Sequence, residues 1–314
     1  MHPRLVGAVA LVAVVSGTLS GCAREPWPDP PAIEQTQYQA EYDAWREGRQ
    51  AAITHAVQLI GIWPLQEGDT PFGADISLPI ALPASAAPAR AGVFKREGTR
   101  ITVIPSPGAP LRLENGKAIS APTEIKTVME GDPTVLALGS VRLQVEQVFE
   151  KFGSRRWVSG WDEEHPVLKD PPIVDTYPPN QQWRLAARFD AFPSPKPIRI
   201  PDVRGGFMDL MAAGELVFRV NGQEERLTAI GFEGSEQFFV MFKDPTNLTT
   251  TYTGYRILFP MAVEDNEWTV LDFNLAANPP CAYSRYTTCP MPPQENALKV
   301  AVEAGEKRYR LAQL

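Results

Sequence analysis

Leu216-Val217-Phe218-Arg219-Val220-Asn221-Gly222 is the stretch that most directly indicates the fold of this chain. Its first five residues are mostly β-branched or aromatic, and Asn-Gly is typical of a two-residue hairpin turn. Similar apolar runs lie on both sides of it: Trp183 to Phe189, Phe238 to Phe242, Arg256 to Phe259, Trp268 to Phe273 and Lys299 to Glu303. No helices alternate with these runs, so a parallel α/β fold is not expected. The pattern predicts a main antiparallel β domain over residues 183–314.

A smaller β domain is predicted over residues 61–151. Ile101-Thr102-Val103-Ile104 and Val141-Arg142-Leu143-Gln144-Val145 are rich in strand-forming residues, and the second run alternates apolar and polar side chains. Residues 152–182 are rich in proline and predict a connection between the two domains.

One helix is predicted ahead of both domains, over residues 33–60. Four of its side chains fall on one face at spacings of four, three and four: Tyr38, Tyr42, Trp45 and Arg49. This stripe favours packing against the β body over ligand binding. The fold class expected is therefore mainly β, with two antiparallel sandwich-like or barrel-like domains preceded by an N-terminal helix.

The composition excludes some partners. The 314 residues include 31 prolines, about twice the usual share of roughly 5%, which favours short strands and rigid loops. The net charge is −7 and no basic stripe occurs, so nucleic acid is not an expected partner.

The N-terminal sequence predicts where in the cell the protein is located. Leu5 to Val15 is an uncharged apolar run of signal-peptide length, and Leu19-Ser20-Gly21-Cys22 resembles a bacterial lipobox. We expect residues 1–21 to be a signal peptide, Cys22 to carry the fatty acyl anchor and residues 22–32 to form a proline-rich tether to the lipid bilayer. The alternative is a plain secretory signal that leaves a free thiol. Ala23 is not the aspartate that retains some lipoproteins at the inner membrane, so the outer membrane is favoured if the source is Gram-negative.

Two cysteines remain in the exported chain, Cys281 and Cys289. An even pair in an oxidising compartment predicts a disulfide that staples the proline-rich loop. The alternatives are two reduced thiols or a metal-binding pair, and a structural zinc site would need four ligands.

The segment around these cysteines carries a resemblance to a known family. It contains Leu271-Asp272-Phe273-Asn274, then Asn278-Pro279-Pro280-Cys281-Ala282, then Thr288-Cys289-Pro290-Met291-Pro292-Pro293-Gln294-Glu295-Asn296, and later Ala304-Gly305-Glu306. Together these resemble a bacterial domain-of-unknown-function family, number sixteen eighty-four. The resemblance covers roughly residues 40 to 311 and is most specific over 242 to 306. It implies membership of the family and supplies no activity.

The same segment concentrates polar side chains beside strand ends. Asp272 and Asn274 are two apart, so on a strand they would share one face. The other candidates to converge with them, if the stapled loop folds back, are Asp244, Arg256, Asn278, Glu295 and Asn296. Such a set could bind a divalent cation, perform acid–base chemistry or hydrogen-bond a sugar. The alternative is structural: Arg256 pairs with Asp272, and the amides satisfy loop backbone groups.

We therefore expect a membrane-anchored extracytoplasmic lipoprotein that acts as a binding or structural module of the cell envelope. Its ligand would be a small molecule, a glycan or an envelope protein; no cofactor is predicted, although a divalent cation is compatible with the carboxylates. The alternative is a carboxylate-dependent hydrolase, with or without a metal ion, that acts on envelope glycans or esters. A purely structural spacer would have no pocket near Asp272.

Overall fold

The computed structural model describes residues 27–127, 130–150, 153–202, 206–287 and 289–309. The predicted signal peptide and the lipidation site Cys22 lie outside the described residues. In the part of the chain that is described, no helix has both the length and the apolar character needed to cross a membrane.

One α-helix, α1, precedes the β structure and runs over Gln35–Gln58. The Glu34 side chain caps it by accepting the backbone N–H of Thr36 at 2.9 Å. Tyr38, Tyr42, Ile53 and Val57 form its buried face. The helix confirms the sequence prediction, with slightly narrower bounds than 33–60.

The first β unit consists of two five-stranded sheets. One has the order β1 (Leu59–Pro64), β10 (Gly153–Asp162), β9 (Val141–Glu150), β8 (Leu136–Leu138) and β6 (Arg112–Leu113). The other has the order β3 (Ile80–Ala81), β2 (Gly68–Gly73), β4 (Gly92–Glu97), β5 (Arg100–Pro105) and β7 (Thr123–Glu124). All neighbours are antiparallel except β2 and β3.

The two sheets share one apolar core, in which Phe72 and Phe94 of one sheet cluster with Leu143 and Val158 of the other. This unit extends past residue 151, because β9 and β10 pair along their whole length. The proline-rich connection is correspondingly shorter than the predicted 152–182 and begins after Asp162.

The second unit is built on a four-stranded antiparallel sheet. Its order is β13 (Gln223–Ile230), β12 (Phe207–Val220), β11 (Arg184–Pro201) and β16 (Trp268–Asp272), and a separate pair is formed by β14 (Val240–Phe242) and β15 (Arg256–Leu258). The Asn221-Gly222 turn joins β12 to β13 with both residues at positive φ, 51° and 77°. This confirms the predicted hairpin, because both central residues of such a turn need positive φ.

The core of the second unit is aromatic. Phe273 lies at its centre, with ring centroids 5.6 Å from Phe218 and 5.3 Å from Phe242. Residues 273–287 and 289–309 continue as loops and short 3-10 turns. The predicted strand Lys299–Glu303 is wrong, because these residues are not part of a sheet ladder. Side chains as well as backbone carbonyls hold the N–H groups of these loops and turns, and several of these side chains are buried polar residues of the sequence signature.

Candidate functional site

The stripe of α1 packs against the second β unit, as the sequence favoured. Tyr38 and Tyr42 are each 3% exposed. The Tyr42 hydroxyl donates to the Thr176 hydroxyl at 2.9 Å, so the helix is fixed to the connection as well as to the sheet.

Asp272 lies at the point where Tyr38 reaches the sheet. The Tyr38 hydroxyl donates to Oδ2 of Asp272 at 2.9 Å, and Oδ1 accepts the backbone N–H and the side-chain amide of Asn274 at 3.0 and 2.9 Å. Asp272 thereby caps the 3-10 turn that follows β16. Burial raises the pKa of the Asp272 carboxyl, and the hydrogen bonds from Tyr38 and Asn274 oppose that rise. Both oxygens are thus engaged within the protein.

Asn274 extends this network to the connection. Its Oδ1 accepts the backbone N–H of Asn180 at 2.9 Å, and its Nδ2 donates to the Asn180 carbonyl at 3.0 Å. Asn274 therefore fixes the backbone of the loop that faces Tyr38. Asp272 and Asn274 do lie together, as predicted. They do not share one face of a strand, because Asp272 caps the 3-10 turn that contains Asn274.

A cleft of about 550 Å³ lies between α1 and the connection, and it is lined by Tyr38 and Asn180 of this network. Its aromatic lining residues are Tyr38, Tyr177 and Trp183, and its polar ones are Gln35, Asn180, Gln181, Gln182 and Glu303, with Pro178 and Pro179 completing the wall. At the rim, Nε2 of Gln181 donates to Oε1 of Gln35 at 3.1 Å. One carboxylate among four amides makes the lining mostly neutral.

Asp244 and Arg256 form a separate, fully buried ion pair. Nη2 of Arg256 donates to Oδ1 of Asp244 at 2.8 Å, and both side chains are 0% exposed. Arg256 also donates to the carbonyls of Val302 and Ala304, while Oδ2 of Asp244 accepts the Val302 N–H at 2.8 Å. Burial lowers the pKa of Arg256, although the negative charge of Asp244 acts to raise it. The expected Arg256–Asp272 pair is wrong, because Asp272 is taken by Tyr38 and Asn274.

Asn278 belongs to a third cluster, centred on Glu306. Oε2 of Glu306 accepts the Asn278 N–H at 2.6 Å and the Tyr283 hydroxyl at 2.9 Å, and its Oε1 accepts Nε of Arg49 at 2.7 Å. Burial acts to lower the pKa of Arg49, but the hydrogen bond to Glu306 and the charge of Glu306 outweigh burial and raise that pKa. A cavity of about 390 Å³ lies beside this pair. Arg49 and Glu306 each belong to a pattern noted in the sequence, but no pattern pairs them, because Arg49 lies on α1 and Glu306 lies in the last described segment.

The last two candidates lie on the far side of the second unit. Asn296 is buried; its Oδ1 accepts the Thr228 N–H at 2.7 Å, and its Nδ2 donates to the carbonyls of Thr228 and Met241 at 3.0 and 2.7 Å. Glu295 is exposed. The seven candidates thus occupy four separate places, and most of them satisfy backbone groups. Among the described residues, no three His, Cys, Asp or Glu side chains are grouped to hold a metal ion.

The predicted disulfide is corrected by the structure. Cys281 and Cys289 are free thiols in contact, and the backbone N–H of Cys281 donates to Sγ of Cys289 at 3.3 Å. Hydrogen bonding from the Cys281 thiol lowers the pKa of Cys289 to about 7, while the same hydrogen bond and burial raise that of Cys281. Spacing and loop geometry bring the sulfurs together, but forming the bond requires an oxidant that the sequence does not specify.

Comparisons with known proteins find one similar family and one similar solved structure. No curated protein matches the chain. Among solved structures, the solution NMR structure of an uncharacterized protein from Haloarcula marismortui is 28% identical, covers 46% of this chain and 80% of its own, and has a TM-score of 0.39. The family described as "Protein of unknown function (DUF1684)" matches residues 172–307, a narrower range than the resemblance read from the signature. Over residues 172–307, the chain is similar to the DUF1684 family, which confirms the resemblance over that range.

Proposed function

We propose that this protein is a lipid-anchored, extracytoplasmic binding module of the cell envelope, and that the cleft between α1 and the connection binds a neutral, hydroxyl-rich ligand such as a glycan segment. The observation that carries this proposal is the cleft of about 550 Å³, which is lined by Tyr38 and Asn180, the residues that Asp272 and Asn274 hold by hydrogen bonds. A purely structural spacer would need no such opening beside these residues.

The chemistry of the lining suits a sugar better than an ion. Amide groups such as those of Gln35 and Gln182 both donate and accept hydrogen bonds, as sugar hydroxyls do. Tyr177 and Trp183 add aromatic surface beside these amides, and binding sites commonly combine apolar walls with a few placed polar groups. Glu303 is the one carboxylate in the lining, so strong binding of an anion or a cation is not favoured.

The cleft is preorganised by the residues beneath it. Asn274 holds the backbone of Asn180 through two hydrogen bonds, and Asp272 holds the Tyr38 hydroxyl. A site whose walls are fixed before binding loses less conformational entropy when the ligand arrives. The signature residues then serve the cleft as supports, which gives them a role without direct contact to the ligand.

The anchor is supported by the lipobox-like sequence, and Trp27 shows where the following chain joins the second unit. Nε1 of Trp27 donates to the Ala186 carbonyl at 3.1 Å, and the Trp27 ring packs edge-on against Trp268 at 4.9 Å. The few residues between Cys22 and Trp27 span at most about 18 Å when extended. An acylated Cys22 would therefore hold the body close to the bilayer, in the outer membrane if the source is Gram-negative.

The carboxylate-dependent hydrolase receives less support from the geometry. A general acid or base must reach the reacting group, and both oxygens of Asp272 already accept hydrogen bonds within the protein. The other buried candidate carboxylate, Asp244, is enclosed with Arg256.

The binding proposal is tested with N-acetylglucosamine oligosaccharides and with muropeptides from digested peptidoglycan, using isothermal titration calorimetry. The double variant Gln35→Ala/Gln181→Ala removes the two rim amides and should weaken binding about tenfold, since each hydrogen bond contributes about 0.5–1.5 kcal/mol. The matched control is Gln37→Ala/Gln39→Ala, which removes two exposed amides of the same helix outside the cleft. The control should bind as the parent does.

Three results would overturn parts of the proposal. Absence of binding to all of these probes, or equal weakening in the control, contradicts the glycan-binding cleft. Release of cleaved muropeptides, detected by mass spectrometry, favours the hydrolase. An unacylated Cys22 in protein extracted from native membranes contradicts the anchor while leaving the cleft intact.

A further inference from the structure

The two thiols of the proline-rich loop form a feature that the cleft does not use. Cys289 is 3% exposed and Cys281 is half-buried, so the pair lies just beneath the surface with one sulfur partly accessible. The 3.3 Å hydrogen bond from the Cys281 N–H to Sγ of Cys289 fixes the loop so that the two side chains face the same small region.

The surroundings of the pair add further sulfur. Cys281 and Cys289 belong to an apolar cluster that also contains the thioethers of Met241, which is fully buried, and Met291, which is partly buried. Met291 follows Cys289 by two residues, and its backbone N–H is held by the Pro201 carbonyl at 2.8 Å. Both methionines therefore pack in the same apolar cluster as the two thiols.

This set discriminates between classes of metal ion. Zinc in structural sites takes four ligands, usually thiolates and imidazoles, and the described residues offer no third Cys, His, Asp or Glu beside the pair. Hard cations need oxygen ligands. Thiolate and thioether sulfur instead select soft ions, of which Cu(I) is the main biological example.

We propose that Cys281 and Cys289, assisted by Met291, form a binding site for a monovalent thiophilic cation, Cu(I). In this reaction the ion displaces the protons of the two thiols: one Cu(I) is bound, two S–H bonds are broken, two Cu–S bonds are formed and two protons pass to the solvent. No electron is transferred, so neither oxidant nor reductant is needed. The Met291 thioether contributes as a neutral ligand that loses no proton.

The test is a competition titration of the full mature chain under anaerobic conditions, with Cu(I) held by bicinchoninate. We expect one Cu(I) per chain, with affinity falling at least 100-fold in Cys281→Ser and in Cys289→Ser. Met291→Leu should weaken binding by roughly tenfold, and Met261→Leu, which changes an exposed methionine outside the cluster, should have no effect. Circular dichroism of each variant establishes that it is folded.

Several outcomes would overturn the site. They are failure of the parent chain to compete with bicinchoninate, unchanged Cu(I) affinity in folded serine variants, and Zn(II) binding that Cu(I) does not displace. Thiol counting on protein taken directly from cells, if it finds the pair fully oxidised, also contradicts it. If both serine variants fail to fold, Met291→Leu is compared with Met261→Leu. Equal Cu(I) affinity in these two variants would then contradict the site. None of these measurements involves a glycan or the acyl anchor. A negative result for the Cu(I) site would therefore leave the proposed glycan-binding cleft unaffected.

Discussion

Replacing Asp244 by alanine should destabilise the second unit severely. The substitution leaves the Arg256 guanidinium, 0% exposed, without its counter-charge in the interior. It also removes the acceptor for the Val302 N–H and the cap of the turn at Thr246. Breaking a buried pair by removing one partner costs roughly 3–5 kcal/mol, because the remaining charge stays desolvated.

The chain offers a matched control with the same chemistry at the surface. Arg188 and Asp190 lie 2.7 Å apart, but their side chains are 35% and 29% exposed. Solvent still reaches both groups of this half-buried pair, so Asp190→Ala should cost much less stability than Asp244→Ala. The contrast between the two aspartates isolates burial as the cause.

The assay is urea unfolding, followed by tryptophan fluorescence and by circular dichroism, with the parent and both variants measured together. We expect the midpoint of Asp244→Ala to fall far below that of Asp190→Ala at an unchanged slope, since the slope reports the surface exposed on unfolding. An Asp244→Ala variant within about 1 kcal/mol of the parent would refute the reasoning, because a loss that small is typical of an exposed pair.

Three further predictions follow from the same structure. Burial raises the pKa of Asp272 above its ordinary value of 3.8, so ionisation of this carboxyl disfavours the folded state. The stability of the parent, compared with that of Asp272→Asn, should therefore fall as the pH rises through the raised pKa and should be regained below pH 3.8. Melting temperatures of both proteins, measured from pH 3 to 7, test this. Asn296→Ala should cost about 3 kcal/mol in urea unfolding, because it leaves buried backbone groups unpaired, while exposed Glu295→Ala stays within about 0.5 kcal/mol. Gly222→Ala should cost about 1 kcal/mol, because φ is +77° there; an unchanged melting temperature would contradict the turn assignment.

Local patterns were sufficient for many elements of the fold, but not for all. The Asn221-Gly222 turn and the helical spacing of Tyr38 and Tyr42 are signals carried by neighbouring residues, and the structure confirms both. The strand predicted over Lys299–Glu303 failed because its apolar pattern serves a loop, in which the Val302 N–H bonds to the Asp244 side chain and not to a neighbouring strand.

Contacts between distant segments could not be predicted in the same way. Asp272 pairs with Tyr38 and Glu306 with Arg49, and both contacts depend on the register at which α1 docks on the sheet. No spacing rule within the signature encodes that register. Similarly, the sequence pattern grouped Asp244, Asp272 and Asn296 as one site, whereas each holds the backbone of a different segment of the second unit. Their role as supports emerges only when the hydrogen-bond partners are known.

The most direct measurement for the account is a set of ¹⁵N–¹H NMR spectra of the mature chain, recorded while a muropeptide is added. The account predicts that the Trp183 indole N–H and the side-chain amides of Gln35 and Gln182 shift together with increasing ligand, while those of Gln37 and Gln39 stay in place. Shifts confined to residues outside the cleft, or no shifts at saturating muropeptide, would contradict it.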